Sequence, residues 1–452
     1  MTEPIISVAG LRGIVGEELN PEVAMRYAAA FSVSVPQGLF IVTKDSRSTG
    51  TMLAHAIHAT LNALGRSTLD AGVAATPTLG VLIRQYNAVG GIQISASHNP
   101  REFNGMKLFS AEGRVIPKEP GSRVLEQYKT GKPLWTTYQN IGKYSVCPNA
   151  IEAHLESVLN TVNVKAIADR KFKVLLDANH GAGAVLGIKL LQRLNCNVTI
   201  LGEEPNGDFL HAPEPTPDNL TSVCEKVKTI GIDVAFCQDP DADRLAIIDG
   251  NGRYIGEEYT IVLCMDHILQ SAVKKAWNRK LGPMVINCAT SRMSEDIAKK
   301  YDIPIFRSAV GEANVVDMML AKEATFGGEG NGGPIDPAVG YVRDSFVGMA
   351  QILDAMATTG KTIAMLADAL PKYTLIKRKM DMELTKVPIM LDKVASAFKH
   401  LRCDRMDGLR IDHGDAWVLL RGSNTEPIIR IFAEAPTMER ANKLCDEIER
   451  LM

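Results

Sequence analysis

The chain predicts an α/β fold: three related, doubly wound α/β domains and a smaller C-terminal α+β domain around a central active-site cleft. Three observations lead there. One order of elements recurs three times, the strands within it are apolar along their length, and the pattern changes character near residue 371. Continuous apolar strands alternating with helical segments suit parallel sheets covered by helices on both faces.

The first copy reads "GLFIVTKDSRSTG", "STLDAGVAATPTLGVLI" and "GGIQISASHNP". The second reads "FKVLLDANHGAGA", "CNVTILGEEPNGDF" and "DVAFCQDPDADR". The third reads "GPMVINCATSRMSED", "IPIFRSAVGEANVVDMM" and "EATFGGEGNGG". Each is a buried strand, a polar turn, a helix, a second strand, another helix and a third strand. The C-terminal "DGLRIDHGDAWVLLRGSNTEPIIRIFAEA" alternates with period two, as antiparallel strands do, and "TMERANKLCDEIERLM" follows as a helix. The expected domains are 1–150, 151–252, 253–370 and 371–452, with "PKYTLIKRK" (371–379) containing the last link. The basic run "KKAWNRK" (274–280) reads as a solvated helix end.

Composition narrows the function classes. With 452 residues, 46% of them hydrophobic and 23% charged, the chain is long enough for three or four globular domains. A formal net charge of -2 gives no support for a nucleic-acid or anionic-membrane binder. No charged-then-apolar leader opens the sequence, and no apolar run approaches the roughly 18 residues of a membrane span. Eight scattered cysteines without a CxxC pair suggest neither a zinc site nor a disulfide framework. A cytoplasmic protein with reduced thiols is expected.

Open α/β sheets bind ligands outside the carboxyl ends of their strands. Each third strand runs into an unusual loop there: "SASHNP", "DPDADR" and "GEGNGG". In the first, the apolar run Ile92–Ile94 stops on small serines, then His98 and Asn99. From the residues alone, Ser97 is either a nucleophile or part of a turn.

The second loop places Asp239, Asp241 and Asp243 on alternate positions with Arg244 adjacent. In an extended segment, alternation points all three carboxylates to one side. Like charges so close need a cation, and hard oxygen ligands suit Mg²⁺. An EF-hand is excluded, because its sixth and twelfth positions would be Arg244 and Gly250 instead of Gly and Glu. An acidic solvated turn is the bland alternative, made less apt by the apolar strands on either side.

"RGSNTEPIIR" offers Arg421, Ser423, Asn424, Thr425 and Arg430: guanidinium forks and small hydroxyls that can grip a phosphate monoester. An ordinary turn would also use Ser, Asn and Thr. "GEGNGG" is glycine-rich enough for backbone to approach a ligand, and carries Glu329, a polyol contact able to accept two vicinal hydroxyls. Its rival is a flexible turn. Arg12, Arg47 and Lys107 are further candidates, although lone basic residues usually face solvent. Lys107 sits between apolar residues, where a depressed pKa would make it an acid/base group.

Together these motifs resemble the α-D-phosphohexomutase family over essentially the whole chain and in the right order. Ser97 matches the family's phosphorylated serine. Asp239, Asp241, Asp243 and Arg244 match its DGDADR or DPDADR metal loop, and Arg421, Ser423, Thr425, Glu426 and Pro427 match its RxSxTEP phosphate loop. "EPNGDFLHAPEPTPDNL" is similar to the family's second-domain signature.

The resemblance implies interconversion of hexose 6-phosphate and hexose 1-phosphate, with phospho-Ser97 donating its group and a hexose 1,6-bisphosphate as intermediate and activator. It implies Mg²⁺ held by the three aspartates and a phosphoserine oxygen of Ser97. Lys107 would manage the hydroxyl proton, Arg12 and Arg244 would stabilise charge, and His98 would support the serine loop. Glu329 and Asn331 would meet the sugar, and Arg421, Ser423, Asn424, Thr425 and Arg430 its distal phosphate. The partner is a small sugar phosphate, with no nucleic acid or membrane, and the chain is a monomer or homodimer. One departure matters: the family's GEMSGH or GEQSGH ends in a histidine credited with acid/base help, where this chain has Gly333, and Asn331 replaces the serine. "GEGNGG" is similar to a variant among phosphoglucosamine mutases, which points to glucosamine phosphate ahead of glucose or mannose phosphate. The rivals are a Mg-dependent sugar-phosphate phosphatase and a non-catalytic sensor.

Overall fold

The computed structural model describes residues 3–7, 10–273, 281–422 and 427–452. The basic run 274–280 and the phosphate-loop residues Ser423, Asn424 and Thr425 lie outside the described residues. Among the described residues, four sheets follow one another along the chain.

The first sheet has seven strands. Phe40–Lys44 lies between its parallel neighbours Thr68–Val73 and Gly90–Ile94, with helices Gly50–Ala63 and Thr76–Gln85 as crossovers. The second copy repeats this with Lys173–Asp177 between Asn197–Leu201 and Val234–Gln238. The third places Met284–Asn287 between Ile305–Ser308 and Phe326–Glu329. These central strands are apolar on both faces because helices cover both. In the first copy, Val42 and Ile92 pack into one cluster and Ile41 and Leu79 into another. In the second, Leu176 and Phe236 face one cluster and Leu175 and Cys237 another.

The sheets are mixed, whereas the apolar runs had predicted parallel ones. In every copy the third strand passes through its loop and returns as an antiparallel neighbour: Phe103–Ser110, Leu245–Asp249 and Gly333–Ile335. A loop of a few residues can join only antiparallel strands, since a parallel return needs a crossover of a dozen or more. The three functional loops are therefore hairpin connections, tethered at both ends.

The second and third copies share one continuous core, in which Leu176, Phe236, Phe326 and Phe346 belong to a single cluster. The first copy is tied in through His154: its Nδ1 is 2.9 Å from Thr78 Oγ1 and its Nε2 is 2.7 Å from Asp344 Oδ2. The other Asp344 oxygen caps the helix Ser345–Thr359 by accepting from the Phe346 and Val347 amides.

The fourth sheet is wholly antiparallel, as expected from its sequence pattern. Most of 371–379 belongs to its strand Thr374–Asp381, leaving the link just ahead of it. Within Trp417–Gly422 both faces are covered. Val418 and Leu420 enter the domain's own core, while Trp417 and Leu419 pack with Cys288 of the third copy. Arg410 lies over the Trp417 ring and donates to the Cys288 carbonyl at 2.7 Å, which fixes this domain beside the sugar loop's domain. Among the described residues, no helix is long and apolar enough to cross a membrane.

Candidate active site

Ser97 is fully buried and has a φ of 51°, left-handed backbone that a non-glycine residue adopts at a cost of roughly 1–3 kcal/mol. Its neighbours maintain that geometry. The Ser97 amide donates to Ser95 Oγ at 2.8 Å, and Ser95 Oγ donates to Asp45 Oδ2 at 2.6 Å. Arg47 forms a buried ion pair with Asp45 and donates to the Ser97 carbonyl at 2.9 Å and to the Asn99 carbonyl. The Phe209 ring, in the connecting segment of the second copy, lies under the Arg47 guanidinium. Arg47, a candidate for ligand contact, is thus engaged inside the protein as the serine loop's brace.

From this position Ser97 Oγ donates to Asp239 Oδ2 at 3.0 Å, joining the first and second copies. The DPDADR segment is a turn, in place of the extended segment that the alternation suggested. Ala242 has a φ of 55°, and Asp239 Oδ1 accepts from the Asp243 and Arg244 amides, each at 3.1 Å. The turn still converges the three carboxylates: one oxygen from each lies within 4.8 Å of the others, and all three side chains are buried. Burial, then Asp241 and Asp243, push the Asp239 carboxyl well up. Burial also pushes Asp241 up, but Lys107 and hydrogen bonds from Lys107 and Thr76 outweigh it and hold Asp241 below the usual carboxylate range. Asp241 Oδ1 and Asp243 Oδ1 are buried without a hydrogen-bond partner. Converging buried carboxylates with unsatisfied oxygens fit a small, hard divalent cation.

Lys107 does not have the depressed pKa expected of it. Burial lowers it, but Asp241 Oδ2 at 2.6 Å and Asp243 Oδ2 at 2.9 Å stabilise the ammonium and raise it overall. Its charge is therefore engaged by the acidic loop. Arg12 donates to Asn99 Oδ1 at 3.2 Å, and burial lowers its pKa. His98 Nδ1 is 3.4 Å from Ser97 Oγ, and burial, with Arg244 and Arg12 nearby, drops its pKa to about 2. The ring is neutral, so its 3.9 Å approach to Glu214 is not an ion pair. Arg244 donates to Glu214 Oε1 at 3.3 Å.

In the sugar loop Glu329 is buried and well occupied. Oε1 accepts from Asn287 Nδ2 at 2.8 Å and the Gly311 amide at 2.9 Å, and Oε2 from Arg343 Nη1 at 2.9 Å. A carboxylate has about four acceptor positions, so Glu329 has room for one hydroxyl in this state, where two were expected. Asn331 Oδ1 is buried without a partner, an open acceptor in the same loop. In the fourth domain Arg421 and Arg430 are direct cross-strand neighbours. Like charges opposite each other are destabilising, which makes the pair apt for an anion; Asp407 Oδ2 lies 3.3 Å from Arg421 Nε.

Two participants escaped the sequence reading. Thr76, at the start of its helix, donates to Asp241 Oδ2 at 2.5 Å, and its amide donates to the Asp241 carbonyl at 2.9 Å. Arg343 reaches Asp243, Glu329 and Glu312 together. "ATPT" and "YVRDSF" resemble ordinary helix starts, so only their proximity to the acidic loop distinguishes them.

A buried serine on a strained hairpin thus stands beside three converging carboxylates where two copies of the plan meet in a four-domain α/β protein. The chain belongs to the phosphoglucomutase/phosphomannomutase family. Models of that family's alpha/beta/alpha domains I, II and III match residues 5–134, 152–252 and 257–373, and the model of its C-terminal domain matches 375–451. A phosphoglucomutase/phosphomannomutase of Thermococcus kodakarensis is 36% identical over 442 residues, covering 96% of this chain and 95% of that protein. Another protein of that organism, named as a phosphoglucosamine mutase, is 28% identical over 448 residues, covering 98% and 97%. The crystal structure of a phosphoglucomutase/phosphomannomutase family protein from Burkholderia thailandensis superposes with a TM-score of 0.84 at 22% identity, covering 99% of this chain and 97% of that one. The protein is accordingly a phosphohexomutase, an isomerase.

Proposed function

We propose that the chain interconverts hexose 6-phosphates and hexose 1-phosphates through a phosphoserine at Ser97 and a hexose 1,6-bisphosphate that stays bound while it reorients. The carrying observation is the 3.0 Å contact between Ser97 Oγ and Asp239 Oδ2, which brings the nucleophile against the acidic loop. Asp239, Asp241 and Asp243 would hold Mg²⁺ together with an oxygen of the phosphorylated Ser97. When bound, the ion neutralises charge on the transferring phosphoryl group.

The chain's own residues do the rest. Arg12 and Arg244 offset charge at the serine loop, and neutral His98 supports Ser97. Lys107 is the cationic group beside the acidic loop. Arg421 and Arg430, with Ser423, Asn424 and Thr425, grip the phosphate that is not reacting. Glu329 and Asn331 each offer one acceptor to the sugar. Enclosure by the fourth domain would keep water from the phosphoserine. The eight unpaired thiols suit a reducing cytoplasm.

For the sugar, the "GEGNGG" loop favours glucosamine phosphate. The two Thermococcus kodakarensis relatives favour the other reading, because this chain is nearer the phosphoglucomutase/phosphomannomutase, 36% against 28%. A whole-chain comparison weighs more than one loop, so glucose and mannose phosphates are the stronger choice. A coupled activity panel tests both: phosphorylated enzyme, Mg²⁺, a trace of matching bisphosphate, and glucose, mannose, glucosamine and N-acetylglucosamine phosphates. A kcat/KM preference for glucose or mannose phosphate supports this choice, and preference for glucosamine phosphate reverses it. Inorganic phosphate release without isomerisation of any of them would make the protein a phosphatase.

A further inference from the structure

Gly333 and Arg343 solve one steric problem together. A Cβ at Gly333 would overlap Arg343 Cδ and stand 2.8 Å from its Cγ. The aliphatic stem of Arg343 therefore runs through space that any side chain at 333 would fill. Past it, the guanidinium forks three ways: Nη2 to Asp243 Oδ2 at 2.6 Å, Nη1 to Glu329 Oε2 at 2.9 Å, and Nε to Glu312 Oε2 at 3.2 Å. Asp243 belongs to the acidic loop and Glu329 to the sugar loop, so one planar cation sets the distance between them. An ammonium could neutralise these carboxylates but could not span them, because it is a point charge without the fork.

We propose that Arg343 is a positioning residue that holds the sugar-reading carboxylate Glu329 in register with the acidic loop, and that residue 333 is glycine so that Arg343 can pass. This rests on the mutase reading above. Its consequence concerns where the phosphoryl group goes. Transfer breaks the bond between phosphorus and the Ser97 oxygen and forms a P–O bond to a sugar hydroxyl, whose proton ends on the departing Ser97 oxygen; with water as acceptor the products are serine and inorganic phosphate. Losing the register misplaces the sugar hydroxyl but not water, so transfer to sugar falls while hydrolysis persists.

The test uses the full chain and four variants, Arg343→Lys, Arg343→Ala, Gly333→Ala and Gly333→Ala combined with Arg343→Ala. Readouts are isomerisation kcat and KM, the ratio of inorganic phosphate released to sugar isomerised, Mn²⁺ affinity by calorimetry, and the thermal midpoint. Arg343→Lys is expected to stay folded, lose roughly 100-fold in kcat, the cost of an ångström-scale misplacement, and raise the hydrolysis ratio at least about tenfold. Gly333→Ala should do the same by displacing the stem, yet add nothing to Arg343→Ala in the double variant. The Mn²⁺ affinity of Arg343→Lys should remain within about threefold of the parent, since its charge is retained. Arg343→Lys with parental kcat and hydrolysis ratio would overturn the inference, as would additive losses in the double variant. A parent enzyme without isomerase activity would overturn the mutase reading instead.

Discussion

Ser97 Oγ and Asp239 Oδ2 lie 3.0 Å apart although 142 residues separate them in the chain. Two copies of one strand-and-hairpin plan meet at their loops, one presenting a buried serine and the other three converging carboxylates. Replacing Ser97 with Ala should lower mutase kcat by roughly 10⁴-fold or more, the scale seen when a nucleophile is removed. The thermal midpoint should stay near the parent's, and phosphate at residue 97 should vanish by mass spectrometry. Substantial turnover by the alanine variant would remove Ser97 as carrier.

The acidic loop repels itself, and its buried oxygens Asp241 Oδ1 and Asp243 Oδ1 lack partners. A divalent cation should therefore stabilise the folded chain, by about 2.7 kcal/mol at a hundred times its dissociation constant. Scanning calorimetry with and without Mg²⁺ or Mn²⁺ measures this directly. The stabilisation should disappear in Asp241→Asn and in Asp243→Asn. An unchanged midpoint in the parent would argue against a cation there.

Asp45 and Arg47 form a buried ion pair that also holds Ser95 and the Ser97 carbonyl. Breaking one partner of a buried pair leaves the other charge uncompensated and costs about 3–5 kcal/mol. Asp45→Asn should show that loss in urea denaturation, together with a fall in kcat as the strained serine relaxes. A cost below about 1 kcal/mol, the range of exposed pairs, would show that the pair is not the loop's brace.

His211 places both ring nitrogens against acceptors, Nε2 at 2.8 Å from Asp177 Oδ2 and Nδ1 at 2.9 Å from the Ala212 carbonyl. Only an imidazolium donates from both. Burial lowers its pKa, but the Asp177 hydrogen bond and charge outweigh it and raise the folded value above histidine's usual one. The sign follows from proton linkage: the stabilisation is fully present below the unfolded pKa and is lost as pH rises through the folded one. The unfolding free-energy difference between the parent and His211→Asn should be larger near pH 6 than near pH 8, on either side of histidine's usual value. A difference that is flat with pH would mean that the fold does not shift the ring's pKa, and one that is larger near pH 8 would mean that the fold holds the ring neutral.

The sequence by itself determined the repeat, the position of each functional loop at the end of a third strand, and the residue types that those loops carry. Strand burial on both faces leaves a continuous apolar run, as in "FKVLLD" and "DVAFC", and such runs are legible without coordinates. Only the tertiary structure decided what long-range contacts fix. The DPDADR carboxylates converge through a turn at Ala242, not through strand alternation. Lys107 is held charged because two carboxylates from another copy meet it, which its own apolar neighbours could not reveal. Thr76 and Arg343 carry no local mark, since their roles exist only where separate copies of the plan come together. Gly333 shows the division most plainly: in the sequence it is a missing side chain, and in the fold it is the passage through which Arg343 joins the acidic loop to Glu329. Local patterning reports which face of an element is buried, whereas charge and steric complementarity across loops depend on distances that only the folded chain sets.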